Sequence, residues 1–310
     1  MTATILFAAR PDRWAEYEPH LRAALDAHGL DYRLGPAFPP EEVDYIVYAP
    51  NSEVQDFTPY TRAKAVLNLW AGVEHVAPNP TLKIPLARMV GGGLTEGMVE
   101  WVTGHTLRHH LGMDAHIVNP THAWAPVVPP MASERPVTIL GLGELGLACA
   151  QALRGLGFPV SGWARTPKEV AGITTHHGPE GLTAALSGAQ VVILLLPNTP
   201  ATENTLNAET LALTAPGAFV INPGRGTLID DDALIAALDS GQIGHATLDV
   251  FRTEPLPPDH PFWAHPKVTV TPHIASETRP GPASAVIAEN VRRGEAGAPF
   301  LHLVDRDAGY

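Results

Sequence analysis

Three residues in turn-forming contexts stand out in the second half of the chain: Arg225 in Asn222-Pro-Gly-Arg-Gly226, Glu254 in Phe251-Arg-Thr-Glu-Pro255, and His273 in Thr271-Pro-His273. An arginine fork pairs bidentately with a carboxylate. A histidine holds and releases a proton near neutral pH, and a carboxylate beside it keeps it charged. Following a dinucleotide-binding loop, such a set is what hydride transfer to a 2-oxo acid requires. Taken singly, each has a plainer reading: a surface ion pair, a solvated loop acid, a structural histidine at a strand end. Their joint occurrence, in this order, favours one active site.

The loop that precedes them is Gly141-Leu-Gly143-Glu144-Leu145-Gly146. It follows the apolar run Val137 to Leu140 and opens an Ala- and Leu-rich segment, which is the strand-before, helix-after context that makes such a pattern specific. The first glycine permits a tight turn, the second lets the backbone approach a pyrophosphate, and the third allows close helix packing, while the helix N-terminus attracts the phosphates. After the second strand an NAD site would carry Asp or Glu on the ribose hydroxyls. Here Ala164, Arg165, Thr166 and Lys168 occupy that stretch with no carboxylate among them. Positive charge and a hydroxyl suit a 2′-phosphate, so the expectation is NADP(H) preferred over NAD(H).

The elements that must hold these residues alternate. Strands over Ala3 to Ala9, Asp44 to Tyr48 and Ala65 to Leu69, with a helix over Trp14 to His28, predict a first parallel sheet. A long helix over Thr95 to Val118 is followed by Asn119-Pro120 and a proline-rich stretch to Pro136. Alternation then restarts, with strands at Val137 to Leu140, Val160 to Trp163, Gln190 to Leu196, Ala218 to Asn222, Ala246 to Val250 and Val268 to Val270, and a helix over Glu144 to Leu156. A last helix, Ala283 to Gly294, returns the chain to the first domain. The predicted class is α/β, with two doubly wound parallel-sheet domains, a Rossmann NADP domain and a flavodoxin-like substrate domain, and a cleft between them. The predicted ranges are 1–102 with 277–310 for the substrate domain and 103–276 for the dinucleotide domain.

These pieces together resemble the D-isomer-specific 2-hydroxyacid dehydrogenases. The resemblance rests on Trp70-Ala-Gly-Val73, the glycine loop, Leu196-Pro-Asn-Thr199, Asn222-Pro-Gly-Arg-Gly226, Leu248-Asp-Val-Phe251 with Glu254-Pro-Leu256, and Pro272-His273. Pro85-Leu-Ala-Arg88 and the tail from Val304 to Tyr310 are similar to the glyoxylate/hydroxypyruvate reductase A branch. The resemblance implies that His273 donates the proton in reduction, Glu254 supports it, and Arg225 binds the substrate carboxylate and polarises the carbonyl. It also implies a nicotinamide contact for Asp249, dinucleotide contacts for Pro197 and Asn222, and a homodimer. Backbone N–H groups of Ala71, Gly72 and Val73 could complete the carboxylate site. Tyr48 and Arg88 are further candidate substrate contacts, Arg88 being equally readable as an interdomain ion pair. Trp70 stands where this family usually carries Gly, and Tyr48 where its nearest relatives carry Trp.

Composition narrows the alternatives. Net charge is 20 − 32 = −12 with no basic run beyond Arg292-Arg293, so neither nucleic acid nor an anionic membrane is expected as a partner. With 45% hydrophobic and 17% charged residues the chain can offset its ordering entropy. The one cysteine, Cys149, has no disulfide or metal partner and reads as a small core residue. No metal site is expected; His105 and His109 share a helix face without a completing acid and read as helix surface, and His176-His177 as loop. Trp124 reads as packing or a dimer contact. The N-terminus lacks a basic leader and the longest apolar run, Val191 to Leu196, is too short for a bilayer, so the expected location is cytoplasmic.

The leading expectation is NADPH-dependent reduction of glyoxylate or hydroxypyruvate. A bulkier 2-oxo acid, with Tyr48, Trp70 and Val90-Gly-Gly-Gly93 shaping the pocket, remains open, as does a non-catalytic dinucleotide sensor on the same fold. A chain ending at Tyr310 is not the expected form of a regulated phosphoglycerate-type enzyme.

Overall fold

The computed structural model describes residues 2–91, 93–117, 119 and 121–306. The expectations placed on Gly92, Val118, Pro120 and the end of the tail at 307–310 lie outside them. Contacts group the chain into two compact units, 1–94 with 277–310 and 95–276. This division falls at the start of a helix, because Leu94–His110 is continuous; the expected division at 102/103 would cut it in the middle.

The first unit contains β1 (Ala3–Ala8), α1 (Trp14–Ala27), β2 (Tyr32–Gly35), β3 (Tyr45–Tyr48), β4 (Ala65–Asn68), β5 (Leu86–Ala87) and the helix Pro280–Glu295. All strand pairs are parallel and the order is β2-β1-β3-β4-β5, the flavodoxin-like order. Both faces are covered, which is why the strands read as near-continuous apolar runs. Ile5, Phe7, Tyr45, Val47 and Leu67 pack on one face against Leu21 and Leu25 of α1 and Ile287 and Val291 of the returning helix. Leu6, Ile46, Tyr48 and Val66 pack on the other with Phe57, Val76 and Leu82. Tyr48 is therefore corrected from a substrate contact to a core residue: it is 2% exposed and its ring lies edge-on to Phe57 at 5.3 Å.

The second unit contains α2 (Leu94–His110), α3 (Asp114–Ile117), β6 (Val137–Leu140), α4 (Glu144–Gly155), β7 (Val160–Ala164), β8 (Thr174–His177), α5 (Gly178–Leu186), β9 (Val191–Leu194), α6 (Ala208–Leu211), β10 (Ala218–Asn222), α7 (Asp231–Ser240), β11 (Ile243–Leu248) and β12 (Val268–Val270). Its seven strands run parallel in the order β12-β11-β10-β9-β6-β7-β8. The strand order reverses between β6 and β9, so the ligand crevice belongs at their carboxyl ends. Cys149 is buried in the core between α4 and the sheet, and burial pushes its thiol up to about 12.

Three local expectations change. The helix expected to reach Val118 stops at His110, where Gly112 takes a left-handed φ of +62° and Met113 N–H reaches back to the Arg108 carbonyl. His105 and His109 are not helix surface: His109 is 5% exposed, stacks on Phe219 and bonds Thr247 Oγ1 at 2.8 Å. His176-His177 is not loop but the end of the edge strand β8, paired with Trp163 and Ala164 of β7.

Candidate active site

Sequence turns become chemistry at the carboxyl ends of β10, β11 and β12. The Asn222 side chain, 1% exposed, closes the turn after β10: its Oδ1 accepts from Gly224 N–H at 3.1 Å and its Nδ2 donates to the Arg225 carbonyl at 2.9 Å. This fixes the backbone from which Arg225 projects. The Asn222 amide thus shapes the turn that carries Arg225. The Arg225 guanidinium donates to the Gly224 carbonyl at 2.6 Å.

After β11, Asp249 is fully buried and accepts three hydrogen bonds, from Thr271 Oγ1 at 2.6 Å, Ile274 N–H at 2.9 Å and Ala275 N–H at 2.8 Å. Its carboxylate therefore ties down the segment that carries His273. His273 sits at φ +55°, an uncommon conformation for a residue with a side chain, and its N–H donates to the Asp249 carbonyl at 2.9 Å. A nicotinamide contact would be a further demand on the Asp249 oxygens, which already organise this loop.

These loops bring Glu254 Oε2 within 2.6 Å of His273 Nδ1, a charge-assisted distance. The other carboxylate oxygen, Oε1, accepts from Phe251 N–H at 2.9 Å, so Glu254 is oriented from its own loop. The Glu254 hydrogen bond raises His273 above the usual imidazole range against the opposing effect of burial, and the Arg225 charge also works against protonation. Glu254 feels desolvation pulling it up, but the hydrogen bonds from His273 and Phe251 N–H and the charges of His273 and Arg225 prevail and hold it below the ordinary range. The expected trio is one electrostatically coupled group. A half-exposed imidazolium with Nδ1 held by a carboxylate can offer its Nε2 proton outward.

The glycine loop fits a dinucleotide on its own geometry. Gly141 has φ +109° and a β-carbon there would meet the Leu195 carbonyl; a β-carbon at Gly146 would overlap the Gly141 carbonyl oxygen. Beside Gly143 a β-carbon would meet nothing within 4 Å, and Gly143 caps α4 without a side-chain acceptor. The N-terminal amides of α4 are thus left for an anion, with Glu144 and Leu145 opening the helix and Pro197 partly buried after β9. Ala164 ends β7, and Arg165, Thr166 and Lys168 follow it, exposed. Lys168 Nζ donates to the Leu142 carbonyl at 2.7 Å, bringing that charge to the glycine loop itself.

In the first unit the turn after β4 is organised by Asn68, a residue the sequence reading did not single out. Its Nδ2 donates to the carbonyls of Trp70 at 2.8 Å and Gly72 at 3.0 Å. With those carbonyls drawn inward, no described residue accepts from the N–H groups of Ala71, Gly72 or Val73. That is the form of a backbone anion nest. An amide one strand-end before an Ala-Gly pair was the available signal. Trp70 is 40% exposed, and Arg88 is partly buried with its N–H on the His302 carbonyl and no side-chain ion pair among the described residues. Among the described residues no group of three His, Cys, Asp or Glu is placed to hold a metal, and no helix is long and apolar enough to cross a membrane.

Residues 105–275 match the family described as D-isomer specific 2-hydroxyacid dehydrogenase, NAD binding domain. A glyoxylate/hydroxypyruvate reductase A of Serratia proteamaculans is 41% identical over 257 residues, covering 80% of this chain and 82% of that protein. A protein of the same name from Yersinia enterocolitica is 36% identical over 310 residues, covering 95% and 98%. Among solved structures, a D-isomer-specific 2-hydroxyacid dehydrogenase of Xanthobacter autotrophicus in complex with NADPH and MES superposes with a TM-score of 0.91 at 39% identity over 100% of both chains. The NADPH-dependent glyoxylate/hydroxypyruvate reductase of Sinorhizobium meliloti, in complex with NADP and sulfate, gives 0.87 at 32% over 100% of both.

Proposed function

This chain belongs to the D-isomer-specific 2-hydroxyacid dehydrogenase family, and on that premise we propose that it reduces a small 2-oxo acid with NADPH, glyoxylate to glycolate and hydroxypyruvate to D-glycerate. The observation that carries the proposal is the 2.6 Å contact between His273 Nδ1 and Glu254 Oε2, with the Arg225 charge acting on both groups.

The bound nicotinamide supplies the hydride. Arg225 binds the substrate carboxylate and polarises the carbonyl, and its charge grows more favourable as the oxygen becomes anionic. His273, kept protonated by Glu254, delivers its Nε2 proton to that oxygen. The Ala71–Val73 amides and Arg88 are proposed as further substrate contacts. Gly141, Gly143, Gly146 and the start of α4 hold the pyrophosphate. Arg165, Thr166 and Lys168 favour the 2′-phosphate, which makes NADPH the preferred cofactor; the NADPH and NADP seen in the two similar structures agree with this.

The bulkier-substrate reading loses Tyr48, which is core, but keeps the exposed Trp70. A panel of glyoxylate, hydroxypyruvate, pyruvate and phenylpyruvate with NADPH and NADH tests both readings: fastest turnover of phenylpyruvate would replace the small-acid assignment, and no turnover of any would favour a dinucleotide sensor. We propose a homodimer as well, because Ile117, Trp124, Val127, Val128 and Met131 are 69%, 97%, 72%, 87% and 70% exposed along one short segment. A cytoplasmic location is proposed with it, to be checked by cell fractionation.

A further inference from the structure

We propose that Arg252 is a positioning residue that fastens the loop of Arg225 to the loop of Glu254, so that the two catalytic groups act at a fixed separation. This rests on the roles given above to Arg225 and Glu254, and it concerns a side chain that the reaction itself does not use.

Arg252 lies two residues before Glu254, yet its guanidinium is occupied elsewhere. Its Nη2 donates to the Ile229 carbonyl at 2.6 Å and the Thr227 carbonyl at 3.4 Å, and also to Asn204 Oδ1. Nη1 donates to Glu203 Oε1 at 3.3 Å, and Nε lies 3.9 Å from Asp231 Oδ1. Thr227 and Ile229 belong to the short turn that begins directly after Arg225. The Asn204 N–H also donates to the Thr227 carbonyl, so two neighbours close on the same peptide group.

Backbone contact accompanies the clasp. A β-carbon at Gly226 would overlap the Phe251 carbonyl carbon and the Arg252 nitrogen, so the two loops touch main chain to main chain. From the same Phe251, the N–H orients the Glu254 carboxylate. A displacement of residues 251–252 away from 226–229 would therefore move Glu254 relative to both Arg225 and His273. The planar five-donor fork of arginine can reach several acceptors at once; a lysine at the same place cannot. A purely structural side chain would leave the chemistry of His273 unaltered, which provides the discriminating readout.

The groups whose charges bear on His273 are Glu254, Arg225 and Asp249. Loss of a nearby cation would, by charge alone, favour protonation of His273. Loosening of Glu254 would do the opposite. The two effects have opposite signs, and Arg252→Lys keeps the charge while removing the fork.

The experiment uses the full chain as wild type, Arg252→Lys, Arg252→Ala and Glu203→Gln. His273 is titrated by NMR of its imidazole carbons, NADPH binding is followed by fluorescence, and glyoxylate reduction gives KM and kcat. We expect both Arg252 variants to titrate His273 at lower pH and to lose about ten- to a hundredfold in kcat/KM, the scale of a small misplacement of reacting groups, with NADPH affinity unchanged and Glu203→Gln like wild type. If Arg252→Ala does not fold, Arg252→Lys alone decides. An unshifted His273 titration with wild-type KM in a folded Arg252 variant overturns the inference, even if thermal stability falls. A wild type that binds NADPH but reduces no 2-oxo acid overturns the proposed reaction instead, and the titration still decides the role of Arg252.

Discussion

Replacing Glu254 by Gln keeps the size of the side chain and an acceptor for His273 Nδ1–H, but removes the charge. Two unit charges about 4 Å apart attract by about 1 kcal/mol in water and about 4 kcal/mol at the effective dielectric near a protein surface. With the His273 side chain 51% exposed and that of Glu254 35% exposed, solvent screening places this pair towards the lower end, about 1 to 2 kcal/mol. That corresponds to about one pKa unit. His273 is raised in the folded protein, so reduction by the proposed mechanism, which uses the protonated form, should fall as pH rises through that raised value. In Glu254→Gln the falling limb of kcat/KM against pH should move about one unit lower. The rate at neutral pH should drop by about tenfold or more, because the imidazole also loses its orienting partner. The same signs apply to stability. The His273 contribution is complete below the imidazole's unfolded pKa and is lost as pH rises through the raised value; that of Glu254 is present above its unfolded pKa and is lost as pH falls through the lowered one. Initial rates of NADPH oxidation by glyoxylate across pH, for wild type and variant, make the measurement. A limb that stays in place or moves upward refutes the coupling of the pair.

Other outcomes follow from the same structure. Arg165→Ala combined with Lys168→Ala should reduce the NADPH over NADH preference in kcat/KM by about tenfold, the value of a charge-assisted contact to phosphate; an unchanged ratio would remove both residues from the cofactor site. His109 is driven to about 3 and His245 to about 4, chiefly by burial, so both stay neutral in the folded protein. Protons then bind the unfolded state preferentially below about pH 6.5, and stability should fall by up to about 1.4 kcal/mol per pH unit for each histidine. His245→Asn should flatten that decline in denaturant unfolding, and an equal slope would contradict it. Trp124→Glu should shift the protein towards the monomer in sedimentation at equal concentration, while unchanged association would place any dimer contact elsewhere.

Val137–Leu140 and Ala218–Asn222 were legible as short apolar runs, because a parallel sheet covered on both faces buries nearly every residue of its central strands. The same double coverage hid the direction of Tyr48, since every residue of β3 is buried and the sequence offers no alternation to separate the faces. Edge strand β8, Thr-Thr-His-His, has no apolar face to read; its pairing with β7 and the Trp163 indole bond to the Gly178 carbonyl place it. Arg225, Glu254 and His273 stand out by type and turn context, and the structure brings Glu254 and His273 into contact. Asn68 and Arg252 do not: Asn68 acts on the Trp70 and Gly72 carbonyls of its own turn, and Arg252 on main-chain carbonyls of a loop that becomes its neighbour only in the folded chain.

The central claim is that His273 delivers a proton to a 2-oxo acid as NADPH gives up hydride. It is tested most directly by incubating the enzyme with NADPH and glyoxylate and measuring glycolate formed against NADPH consumed, with His273→Ala alongside. The account predicts one glycolate per NADPH for wild type and a rate at least about a hundredfold lower in the variant, with NADPH binding preserved. Glycolate formation by His273→Ala at a rate close to wild type would contradict it.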